Sequence, residues 1–144
     1  MLVRHCAGGV VFHGDTVFLL KNEKEEWVLP KGVVRGNARM QEVALARVEA
    51  EAGVKAQILL SAGETNYEFY SITRRTPVCN HVLWFIMEAE RESFCIAFEQ
   101  GFLDGGYYPM EQALEMITYT QDRSLVRLAY EKYHAWKKPV QEEA

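Results

Sequence analysis

Leu29-Pro30-Lys31-Gly32-Val33-Val34-Arg35-Gly36-Asn37-Ala38-Arg39-Met40-Gln41-Glu42-Val43-Ala44-Leu45-Ala46-Arg47-Val48-Glu49-Ala50-Glu51-Ala52-Gly53-Val54 is the stretch that decides the fold. Pro30 ends a short strand over Glu26 to Leu29, because proline removes a ladder donor. The glycine-containing stretch from Gly32 to Asn37 predicts a loop. Met40 to Ala52 is dominated by Ala, Leu, Glu, Arg, Gln and Met, with Met40, Ala44 and Val48 at i+4 spacing, and predicts a helix that Gly53 stops.

Upstream, the β-rich runs Val10-Val11-Phe12 and Thr16 to Leu20 flank His13-Gly14-Asp15 and predict a hairpin. Downstream, Ala56 to Leu60 and Thr65 to Ile72 predict strands around Gly63, and residues 73–77 a turn. Val82 to Met87 is an almost unbroken apolar run, the pattern of a central strand buried on both faces. A strand over Phe94 to Phe98, a loop from Glu99 to Gly106 and a short strand at Tyr107-Tyr108 follow. Pro109 to Ile117 and Thr120 to Trp136 then predict two helices. This order predicts an α+β mixed sheet with helices on its faces, as a single domain over residues 1–138 with a frayed charged tail at 139–144.

A chain of 144 residues with 49% hydrophobic content is long enough to bury a core. The net charge of -4 gives no basic footprint, so no duplex nucleic acid is expected as a partner. Cys6, Cys79 and Cys95 are odd in number and lack metal spacing, which predicts reduced thiols and a cytoplasmic location. No window has the apolar length of a membrane span, and the first residues lack the pattern of a signal peptide, so no membrane partner is expected. Gly8-Gly9 and Gly105-Gly106 make neither a dinucleotide fingerprint nor a P-loop and predict bends.

Between Gly32 and Val54 the sequence resembles the Nudix box of nucleoside-diphosphate hydrolases, G-x5-E-x7-R-E-U-x-E-E-x-G-U with U aliphatic. Gly32, Val48, Glu51, Gly53 and Val54 match, whereas Ala38, Ala46, Arg47 and Ala50 stand where the motif has Glu, Arg, Glu and Glu. The stretches Ala7 to Val11, Gly63 to Tyr67, Trp84 to Met87 and Tyr108 to Ala113 extend the likeness to MutT-like and dinucleoside-polyphosphate hydrolase-like Nudix proteins over nearly the whole chain. The resemblance implies a Nudix fold, a mixed β-sheet sandwiched between helices with a loop-helix-loop at residues 30–54. It also implies cleavage of a pyrophosphate bond in a nucleoside or dinucleoside polyphosphate, with magnesium or manganese as the cofactor. A homodimer is compatible with it.

In the family several carboxylates converge on one patch to offset the diphosphate through such a metal; a single carboxylate holds hydrated magnesium only loosely, with the substrate phosphates supplying the rest, so the metal could still arrive with the nucleotide. At about 100° of rotation per residue, positions 47, 50 and 51 share one face of the helix, whereas Glu42 and Glu49 lie across its axis. Only Glu51 is an acid on that face, so Glu51 is both the candidate catalytic residue and the candidate metal ligand. Arg47, at i−4, has the spacing to pair with it at the surface. By the family's layout Glu99, in the loop before the last strand, is the second catalytic candidate, and Asp104 is a weaker one. Lys31 and Arg47 are candidate phosphate contacts, and Tyr67 and Tyr108 candidate base contacts. Two readings stay open: a weak or atypical metal-dependent hydrolase, and a non-catalytic module that binds a nucleotide or a protein partner without a cofactor.

Overall fold

The computed structural model describes residues 1–138, so the expected tail at 139–144 lies outside the described residues. Seven strands form one sheet: β1 (Leu2–His13), β2 (Thr16–Lys21), β3 (Trp27–Val28), β4 (Lys31–Val33), β5 (Ala56–Ser71), β6 (Thr76–Ala89) and β7 (Asp104–Pro109). Among the described residues three α-helices accompany it: α1 (Met40–Ala52), α2 (Met110–Met116) and α3 (Thr120–Lys137). The sheet runs β3-β2-β1-β6-β5, with β4 paired to β1 and β7 to β2. β1 and β6 are parallel and the other pairs antiparallel, giving the expected mixed α+β arrangement.

Period-2 alternation along the central strands divides the core in two. On one face Ala7, Val11, Phe85 and Met87 pack against Ala44, Val48 and Ala52 of α1. On the other, Val10, Phe12, Trp84 and Ile86 pack against Leu125, Val126, Ala129 and Tyr133 of α3. Both layers depend on β6, whose residues from Trp84 to Met87 are buried, as the unbroken apolar run predicts.

Four expectations are corrected. The stretch beginning at Gly32 opens as a strand: Lys31, Gly32 and Val33 pair with Gly8, Ala7 and Cys6, because β2 holds only the far end of β1 and leaves that edge to be filled. Phe94 to Phe98 is not a strand; its N–H groups cap α1, with Cys95 donating to the Ala52 carbonyl at 2.8 Å and Ala97 to that of Glu51 at 3.0 Å. Such bonds satisfy carbonyls that a helix C-terminus leaves without partners. Gly8-Gly9 lies inside β1, where the absence of a Cβ on Gly8 leaves room for the Pro30 carbonyl, and Gly105-Gly106 lies inside β7. The stop at Gly53 holds: it takes the left-handed conformation at φ 66°, which glycine adopts without a Cβ clash.

Candidate functional site

The loop and helix of residues 30–54 bring Lys31, Arg47 and Glu51 together. Arg47 lies across Gly32 so closely that a Cβ there would overlap its Cγ and stand 2.5 Å from its Cδ. From that bed the guanidinium turns back along α1. Nη2 donates to Glu51 Oε2 at 2.6 Å and Nε to the same oxygen at 3.1 Å, while Nη2 also reaches Gln100 Oε1 at 3.1 Å. Gln100 in turn donates to the Ala50 carbonyl at 3.3 Å.

The i, i+4 spacing places this ion pair at the surface, and the structure corrects that: Glu51 is only 4% exposed, because the segment after Cys95 folds over the end of α1. Burial pushes the Glu51 carboxyl above the usual carboxylate range. Against it act the bond and charge of Arg47, the charge of Lys31 and a main-chain hydrogen bond from Lys31.

This donor set does not fit magnesium. The one carboxylate on the face already accepts two bonds from a guanidinium, and Ala50 offers no oxygen on its side chain. Glu42 and Glu49 are exposed, and among the described residues no three His, Cys, Asp or Glu side chains are grouped to hold a metal ion. Ala38 and Ala46, the positions of the motif's bracing pair, both face solvent, so neither leaves a charge or a cavity behind.

Glu99 lies in the turn Phe98–Gln100, exposed, and has no side-chain hydrogen bond or ion pair among those of the described residues. It is its neighbour Gln100 that touches the helix. Asp104 begins β7 and accepts the Gly105 N–H at 2.7 Å.

On the α3 face a cavity of about 630 Å³ is lined by Lys31, Tyr67, Tyr119 and Asp122, with Asn22, Lys24, Glu26 and Glu68 also contributing. Lys31 joins it to the box: its charge acts on Glu51, while its Nζ lies 5.9 Å from the centre of the Tyr67 ring. Tyr67 meets Tyr119 edge-on at 5.5 Å, and Tyr119 donates to Glu26 Oε2 at 2.6 Å. That bond, with the Asn22 amide, holds Glu26 below the usual carboxylate range. Tyr108 does not line the cavity; it packs edge-on to Trp27 at 5.4 Å.

Asp122 is a site residue that the sequence pattern does not single out. It is 2% exposed, in the first turn of α3, and accepts a hydrogen bond from the Tyr67 hydroxyl. Two bonds between the Gln121 side chain and the Asn66 backbone, at 2.7 and 3.1 Å, tie this turn to β5 and fix Asp122 beside Tyr67. Burial raises its pKa to about 6, with Lys31 acting in the opposite direction. A signal is present in the sequence: Asp122 stands at i−3, i−4 and i−7 from Leu125, Val126 and Ala129, on the buried stripe of α3.

No helix of the described residues is long and apolar enough to cross a membrane. No protein-family model matches the chain. Among solved structures it is similar to a Nudix hydrolase from Nitrosomonas europaea, with a TM-score of 0.71 and 17% identity over 93% of this chain and 74% of that one. It is also similar to an Ap4A hydrolase from C. elegans (TM-score 0.69, 16% identity, 92% of this chain and 98% of that one). A MutT protein from Methanosarcina mazei Go1 gives a TM-score of 0.70 at 15% identity, over 92% of this chain and 96% of that one. Sheet order, the loop-helix-loop at residues 30–54 and these likenesses agree: the chain has the Nudix hydrolase fold.

Proposed function

We propose that the protein binds a nucleoside diphosphate-type small molecule without a divalent metal, with Arg47 and Lys31 supplying the positive charge. The observation that carries this reading is the Arg47 guanidinium, laid over Gly32 and bonded to Glu51 and Gln100 on the helix face where the motif has its acids. A guanidinium can pair with a phosphate in a bidentate manner, but it cannot lower the pKa of a bound water as a metal does. Lys31 supports the reading further, because it borders both that face and the cavity. Roughly 300–1,000 Å³ is the usual size of a small-molecule pocket, and the aromatic rings of Tyr67 and Tyr119 offer an apolar wall for a base.

The experiment is a thermal-shift and phosphate-release panel of nucleoside di- and polyphosphates in EDTA, magnesium and manganese. Stabilisation that persists in EDTA, without release of phosphate or monophosphate, is the expected result. Turnover that needs metal and disappears in Glu51→Gln would overturn it in favour of a hydrolase. One observation favours that second reading: burial raises the Glu51 pKa towards the range useful for proton transfer. There Glu51 would act as base or ligand, with Glu99 as its partner across the capping segment.

A further inference from the structure

Strand β5 is the last of the sheet, and its outer edge is only partly covered. It pairs with β6 alone, and in an antiparallel ladder the main-chain groups of alternate residues point away from the partner strand. Those of Asn66 point outward: its N–H donates to Gln121 Oε1, and its carbonyl accepts from the Gln121 amide. By alternation the groups of Glu68 and Tyr70 point the same way, and they have no hydrogen-bond partner among the described residues. Exposed apolar side chains surround this open length: Phe69, Tyr70 and, in the turn that follows, Ile72, which is 85% exposed. An uncovered edge of this kind is a template for another strand.

We infer that this edge pairs with itself in a second copy of the chain, antiparallel about a two-fold axis at Phe69. Tyr70 of each copy then lies opposite Glu68 of the other. Both residues present N–H and C=O outward, so each such pair exchanges two main-chain hydrogen bonds. Gln121 occupies the edge at Asn66 and stops the ladder there, so the turn of each copy leaves the sheet beside the start of the other's α3. What it meets there fits it. A groove lined by Ala62, Gly63, Thr65, Leu125 and Leu128 receives the second copy's Ile72. Glu64 lies beside that groove, exposed and bonded to His81, within reach of the second copy's exposed Arg74 and Arg75. The acidic strand and the basic turn therefore complement each other twice in one isologous interface, which favours a second copy over an unrelated strand.

Sedimentation or light scattering over a concentration series tests the inference, and the wild type is expected to show twice the mass of one chain. Tyr70→Pro removes only an outward N–H, which an edge strand tolerates, and should give a monomer with unchanged circular dichroism. Reversing Arg74 and Arg75 to Glu should weaken the dimer severalfold, and adding Glu64→Lys should restore part of that loss. In a Cys95→Ser background, Phe69→Cys should form a disulfide between copies on mild oxidation. Residues opposed in a non-hydrogen-bonded pair have Cα atoms about 4.5 Å apart, within disulfide reach, whereas Ile72→Cys lies off the axis and should not cross-link. A wild type that is monomeric throughout the series overturns the inference. A dimer that survives Tyr70→Pro, and that cross-links no better through Phe69→Cys than through Ile72→Cys, overturns β5 as its interface. The cross-linking result decides the matter even where the proline variant does not fold.

Discussion

Two buried carboxylates stand on opposite faces of the sheet, and their surroundings differ in one respect. Glu51, beneath the capping segment on the α1 side, has a guanidinium bonded to it, whereas Asp122, at the start of α3, has a neutral phenol and a lysine that acts only through its charge. Burial raises both pKa values. The first carboxylate is compensated from within the chain and works as a brace; the second keeps an oxygen facing a cavity. A buried acid whose charge the fold does not balance is the stronger functional candidate, although the box motif draws attention to the other one.

The largest expected effect breaks the compensated side. Arg47→Ala leaves Glu51 buried without its cation and should cost about 3 kcal/mol in urea unfolding. Adding Glu51→Gln should recover most of that, and additive losses in the double-mutant cycle would show that the pair does not act as a brace.

Next comes the uncompensated side. The folded value for Asp122 is about 6, above its ordinary 3.8, so the native protein holds a proton that the unfolded chain releases between those values. Stability from this group is therefore greatest below about pH 4 and falls as the pH rises to about 6. Asp122→Asn should be more stable than wild type by about 2 kcal/mol at pH 7.5 and nearly equal to it at pH 4. Equal stability at both pH values would mean that the ionised carboxylate is already compensated, and the contrast with Glu51 would collapse.

Gly32→Ala sharpens the comparison from the backbone side. Its Cβ would occupy the space of the Arg47 stem, so Arg47 must shift and the bond to Glu51 must weaken, at about 1.5 kcal/mol by thermal or urea unfolding. The smallest effect belongs to Glu99→Gln. An exposed side chain with no partner among the described residues should leave stability within about 0.5 kcal/mol and nucleotide affinity unchanged. A loss of metal-dependent turnover in that variant would instead give Glu51 a catalytic partner.

The frame of the fold is legible because it is written in local rules: Pro30, the i+4 recurrence of Met40, Ala44 and Val48, the left-handed Gly53 and the apolar run of β6 each act within a few residues. What escapes depends on segments distant in sequence. Phe94 to Phe98 has the composition of a strand, but its N–H groups are claimed by the end of α1. Lys31–Val33 becomes a strand only because part of β1 lacks another partner. The i, i+4 pairing of Arg47 with Glu51 is legible and its burial is not, because the cover comes from the segment around Cys95 and Ala97. Asp122 is legible in principle from the α3 stripe, whereas the cavity it faces is assembled from β3, β4, β5, β6 and α3 together with the segments before β3 and α3.

The parallel ladder between β1 and β6 also sets a schedule for synthesis. Leu2 to Phe12 pair with Val78 to Glu88, and the bonded side chains of Arg4 and Asn80 are 76 residues apart in the chain. A ribosome adding about 5–20 residues per second leaves the first strand without that partner for roughly 4–15 s. During that interval the hairpin of β1 and β2 can form, but its β6-facing edge, a row of unpaired N–H and C=O groups, stays open. The nascent chain is therefore most exposed to misassociation before β6 emerges, and a chaperone that holds the chain as far as β5 would act at that point.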